Sequence, residues 1–136
     1  MPSLPPIMSL DDDPDDLFFV RRLLAKAQIP NDVVAFENPL GAIDHLEREC
    51  RNPNPLFLPC AIVTDLNMPR MNGFEFTRWV RAHEQLKGTT IMLLTDSADP
   101  AAEAGALDAG VTNFARKFPS AATFGSVLGN LPCQKT

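Results

Sequence analysis

A chain of 136 residues, 45% apolar and 21% charged, is long enough to bury one hydrophobic core and fits a single domain. Its net charge of −5, from 12 basic and 17 acidic residues, leaves no basic block for nucleic acid. Three cysteines without close spacing exclude a disulfide framework and a CxxC motif, and no apolar run is long enough for a membrane helix. With no charged start or long apolar centre for a signal peptide in Met1 to Pro6, the expected compartment is the cytoplasm.

Ile7 to Leu10 predicts a short first strand that runs into the acidic cluster Asp11, Asp12, Asp13, Asp15 and Asp16. Pro14 followed by two acids suits a helix start, and Leu17, Val20, Leu24 and Ala27, with Phe19 and Leu23 beside them, mark its inner face. Asp32 to Phe36 reads as a second strand, and Pro39 to Arg51 as a helix with Leu40, Ile43 and Leu46 inward. A polar loop, Asn52 to Pro55, leads to a third strand from Cys60 that ends at Asp65. Gly73 to His83 predicts a helix, Thr90 to Leu94 a strand, and Pro100 to Ala109 a helix capped by Gly110. Val111 to Ala115 is a fifth strand, and Ser120 caps a last helix buried through Phe124, Val127, Leu128 and Leu131. Five strands alternating with five helices predict an α/β doubly wound parallel sheet, whose ligands bind beyond the carboxyl ends of the strands.

The polar residues that carry chemistry all fall at those ends: Asp11 and Asp12, Asp65, Thr95 and Lys117. Clustered carboxylates repel one another, a cost accepted mainly where a divalent cation is held, and oxygen ligands alone point to Mg²⁺. Asp13, Asp15 and Asp16 fit a solvated helix start instead. An EF-hand reading of the acidic run fails, because its sixth position is Asp16 where glycine is needed and its twelfth is Arg22 where glutamate is needed. No GxxxxGK[ST] or GxGxxG loop supports nucleotide binding. Asp65 can serve as a nucleophile, with Lys117 as a point charge and Thr95 as a hydroxyl toward phosphoryl oxygens.

Asp11-Asp12, the segment TDLNMPRMNGFEF around Asp65, Thr95 and Lys117 together resemble the receiver domain of two-component response regulators. The likeness runs from Ile7 to Leu131, leaving 1–6 and 132–136 as short tails. It implies a flavodoxin-like (βα)5 fold with strand order 2-1-3-4-5. It implies that Asp65 accepts phosphate from a sensor histidine kinase, with Mg²⁺ held by Asp12, Asp65 and the backbone carbonyl of Asn67, and Asp11 acting mainly through water. It implies a switch in which Thr95 moves inward and Phe114 turns. Such a protein is a phosphoacceptor switch and not an enzyme, its only chemistry being self-phosphorylation and autodephosphorylation.

Two departures from the family pattern stand out. Asp96 follows Thr95 where a small residue is usual, and Phe118 separates Lys117 from Pro119, where the family's lysine is followed directly by a cis proline. The LLTDSADP segment resembles small stand-alone receivers, including those paired with phytochrome-type histidine kinases. Because only Pro132 to Thr136 follow the last helix, output is expected through protein contacts. Phe18 and Arg21 are candidates for docking the kinase, and the fourth-helix to fifth-helix face is a candidate homodimer surface. The competing reading is a receiver-like binding module that works without phosphorylation, favoured by Asp96. A haloacid-dehalogenase-type phosphatase would need a second Asp where Asn67 stands, and an electron-transfer flavodoxin would need a Ser/Thr-rich loop after Leu10. His45 and His83 are expected at the surface and Trp79 in packing.

Overall fold

The computed structural model describes residues 4–52, 58–97, 99–129 and 131. Most of the expected loop before the third strand, both chain ends and Cys133 lie outside the described residues. In chain order the elements are β1 (Ile7–Leu10), α1 (Pro14–Lys26), β2 (Val33–Phe36), α2 (Pro39–Cys50) and β3 (Ala61–Asp65). They continue with α3 (Gly73–Arg81), β4 (Thr90–Thr95), α4 (Pro100–Ala109), β5 (Asn113–Arg116) and α5 (Ala121–Leu128). All strands pair in parallel in the order β2-β1-β3-β4-β5, so the doubly wound sheet expected from the alternation is observed, in the flavodoxin-like order that the resemblance implies.

Two-residue alternation along the central strands divides the core between the faces of the sheet. Met8, Leu10, Ile62, Ile91 and Leu93 meet α2, α3 and α4 through Ala42, Leu46, Phe76, Val80 and Ala106. Ile7, Ala61, Val63, Met92 and Leu94 meet α1 and α5 through Val20, Leu24, Phe124 and Leu128. Strands buried on both sides carry apolar runs rather than alternating polar residues, which is why β1, β3 and β4 were visible as runs.

Side-chain caps begin the helices. Asp13, Asn38, Asp99 and Ser120 accept from backbone amides at α1, α2, α4 and α5, and Asn72 forms a reciprocal capping box with Glu75 at α3. Gly110 closes α4 with a φ of 97°, in the left-handed region that a side chain resists.

Some local expectations shift. Leu40 is 46% exposed and Phe19 52% exposed, because Ala42 and Leu46 face the sheet on α2 and Val20 and Leu24 do so on α1. The fifth strand starts two residues later than expected, at Asn113, because the Ile91 amide donates to the Thr112 hydroxyl and not to the backbone of the incoming strand. The third helix stops at Arg81, where Arg78 O and Trp79 O accept from Ala82 N. His45 and His83 are half-buried, each against an aromatic neighbour, Phe36 and Trp79 respectively. Among the described residues no helix is long and apolar enough to cross a membrane.

Candidate phosphoryl and metal site

Parallel register brings the site together. Leu10 lies opposite Thr64 and Leu94 opposite Asp65, so Asp11 and Asp65 leave adjacent strands at the same level. The backbone carries this order one residue past the strands: Asp11 N donates to Phe36 O, Leu66 N to Leu94 O, and Lys117 N to Thr95 O. Asp11, Asp12 and Asp65 each offer a carboxylate oxygen, and these oxygens lie within 4.8 Å of one another. Asp11 and Asp65 are buried and Asp12 is exposed, which leaves one open side at the strand ends.

Lys117 reaches into this group from β5. Its side chain is 5% exposed, and its ammonium lies 3.1 Å from Asp65 Oδ1, 2.9 Å from Asp11 Oδ2 and 2.6 Å from Asp16 Oδ2. Three carboxylates then meet one ammonium, with Asp12 a fourth carboxylate beside Asp11 and Asp65. Burial pushes the Asp11 carboxyl up from 3.8 to about 6, against the lowering pull of the Asp13 amide and Lys117. Burial also raises Asp65, with Lys117 opposing it. For Lys117 itself burial favours the neutral form, but hydrogen bonds from its ammonium to Asp16 and Asp11 outweigh that and move it upward. A site that binds protons this readily is short of positive charge. It is suited to a divalent cation with oxygen ligands and to phosphoryl oxygens beside the lysine.

The remaining expected residues surround this group. Thr95 is buried at the end of β4, with its Oγ1 accepting from Ser97 N at 3.3 Å. Strand alternation directs it to the face of the sheet that carries Leu93, where Phe114 packs, half-buried, against the same cluster. Asn67 is exposed in the β3–α3 loop. Asp96 is also exposed and lies beyond the strand. The cis peptide bond is between Lys117 and Phe118, not between Phe118 and Pro119.

Gly73 makes the close packing of the β3–α3 loop possible. Its amide donates to Leu66 O, and a Cβ there would sit 2.5 Å from the Asp65 carbonyl oxygen. The motif reading placed this glycine at a helix start without showing what it packs against.

Two features escaped sequence reasoning. Asp16 belongs to the site and is not a solvated helix residue: α1 begins directly after β1, so its first turn overhangs the strand ends and delivers Asp16 to Lys117. The available signal was its position one turn after Asp12. A pocket of about 310 Å³ beside Asp12, lined by Glu37, Asn38, Pro39, Pro69 and Arg70, joins residues from three loops and left no local pattern.

Residues 7–123 match the model of the response regulator receiver domain. Hybrid signal transduction histidine kinase D of Dictyostelium discoideum is 31% identical over 113 residues, which is 83% of this chain but 7% of that protein. Chemotaxis protein CheY1 of Helicobacter pylori is 40% identical over 53 residues, covering 39% of this chain and 43% of that one. The solved bacteriophytochrome response regulator AtBRR aligns with a TM-score of 0.80 at 25% identity, over 99% of this chain and 97% of that chain. The chain therefore spans only a small part of the curated kinase it matches, and it belongs to the response regulator receiver domain family of two-component signalling.

Proposed function

We propose that this receiver accepts a phosphoryl group on Asp65 from a histidine kinase, in a Mg²⁺-dependent reaction, and signals through protein contacts. The observation that carries the reading is the meeting of three carboxylates within 4.8 Å, one of them 3.1 Å from a buried lysine. In the reaction, an Asp65 oxygen attacks phosphorus, the phosphorus–nitrogen bond breaks, and the histidine leaves with the electron pair. Mg²⁺ would be held by Asp12, Asp65 and the Asn67 carbonyl, with Asp11 through water, and when bound it neutralises charge on the transferring group. Lys117 donates to a phosphoryl oxygen, and the Thr95 hydroxyl turns from Ser97 toward another. That movement opens room for Phe114, which lies on the same face of the sheet, and the surface of α4, β5 and α5 changes shape. This face is the proposed dimer or partner surface, while Phe18 and Arg21 on α1 dock the kinase. Likeness to a bacteriophytochrome response regulator favours a phytochrome-type kinase as the donor. Acetyl phosphate and Mg²⁺ followed by intact-mass measurement test the central claim. A gain of one phosphoryl group in the wild type and none in Asp65→Asn is expected; no gain in the wild type favours a phosphorylation-independent binding module.

A further inference from the structure

Asp16 makes the shortest of the three contacts to Lys117, 2.6 Å, and it does so from the rim, with a side chain 21% exposed against 7% and 6% for Asp11 and Asp65. An ammonium has three N–H donors, and here three carboxylates take them. No donor is free for a phosphoryl oxygen until one of these contacts gives way. The next residue after the lysine is held to the same helix. The Phe118 ring lies 5.6 Å from that of Phe19, one turn along α1 from Asp16. Lys117 and Phe118 thus each have a contact on α1.

We infer that Asp16 is a positioning residue that restrains the Lys117 ammonium against α1 and limits the charge it gives to a phosphoryl group on Asp65. This rests on the phosphoacceptor reading above and deepens it. Phosphorylation replaces the Asp65 contact with a phosphoryl oxygen, and Asp16 then competes with that oxygen for one ammonium. The strength of this competition sets how tightly the phosphoryl group is held. An amide at position 16 keeps an acceptor for the lysine but removes the charge, so it separates restraint by charge from placement by shape.

The test is equilibrium binding of beryllofluoride, a phosphoryl mimic, to the full chain in excess Mg²⁺, measured by calorimetry. Asp16→Asn is expected to tighten binding about three- to tenfold, the scale for losing one partly screened charge contact. Asp16→Glu returns it to within about twofold of wild type, since the carboxylate is restored. In a Lys117→Met background the effect of Asp16→Asn falls below about twofold, because the residue acts through the lysine. An unchanged or weaker affinity in Asp16→Asn overturns the inference, and so does an effect of full size without Lys117. If Lys117→Met does not fold, ¹⁵N-lysine spectra take its place. The Lys117 Nζ resonance should then move further on beryllofluoride binding in Asp16→Asn than in wild type, and equal movement overturns the inference. Absence of beryllofluoride binding and of acetyl phosphate labelling in wild type rejects the phosphoacceptor reading itself. Binding in wild type with no response to Asp16 rejects only this inference.

Discussion

Asp11 shows how a single buried carboxylate links stability to metal binding. Its proton is held up to about 6 in the folded chain against 3.8 for the unperturbed group, chiefly through burial. The folded state therefore binds that proton more readily than the unfolded state does, so in the metal-free protein the Asp11 contribution to stability falls as pH rises from about 4 to 6. Urea unfolding of wild type and Asp11→Asn in EDTA across this range checks the sign: the wild type should lose stability relative to the variant on going up. In the proposed site Mg²⁺ would have to expel the same proton, so Mg²⁺ affinity should weaken as pH drops below about 6 and be level above it, measured by calorimetry. Lys117 is shifted in the same direction: hydrogen bonds to Asp16 and Asp11 outweigh the burial that opposes them, so it too holds its proton more firmly in the folded chain.

At the scale of elements, two glycines give opposite expectations for the same substitution. Gly73 sits where α3 leaves the β3 loop, and an added methyl would press on the Asp65 carbonyl oxygen and Leu66 Cα, both backbone atoms that cannot give way cheaply. Gly73→Ala should cost about 1–3 kcal/mol in urea unfolding and lower Mg²⁺ affinity as well, since the loop it distorts carries Asn67. Gly41, in the first turn of α2, has nothing nearer than Asn38 Cβ at 4.0 Å. Gly41→Ala should stabilise by about 0.5–1 kcal/mol, through helix propensity alone. Arg81 shows a third way in which an element is placed: from the end of α3 it donates to Gly110 O, Lys87 O and Thr89 O, tying together the loops that lead into β4 and β5. Arg81→Ala removes these bonds together and leaves carbonyls unpaired, so a loss of about 1–3 kcal/mol is expected in the same assay.

For the molecule as a whole, the sheet is a frame that holds three carboxylates within 4.8 Å of one another, as the proposed cation site requires. Mg²⁺ at a hundredfold excess over its dissociation constant should stabilise the fold by about 2.7 kcal/mol, seen as a rise in Tm, with most of the rise lost in Asp12→Asn. Much of this frame was legible beforehand. Apolar runs marked β1, β3 and β4 because both faces of those strands are buried, and the strand-end positions of Asp11, Asp65, Thr95 and Lys117 follow from where each run stops. Gly110 and Ser120 were legible as caps for a local reason: one backbone angle and one side-chain oxygen decide each. The edge strand β5 was harder to bound, as its short NFAR run has exposed ends and little apolar contrast. Leu40 and Phe19 were misplaced because helical spacing alone cannot say which of two neighbouring apolar stripes meets the sheet. Residue types and their order thus determined the fold and the identity of the acidic, hydroxyl and ammonium groups. Only the tertiary structure decided that Asp16, 101 residues away in the chain from Lys117, shares its ammonium, because that contact depends on how α1 overhangs the sheet and on nothing local to either residue.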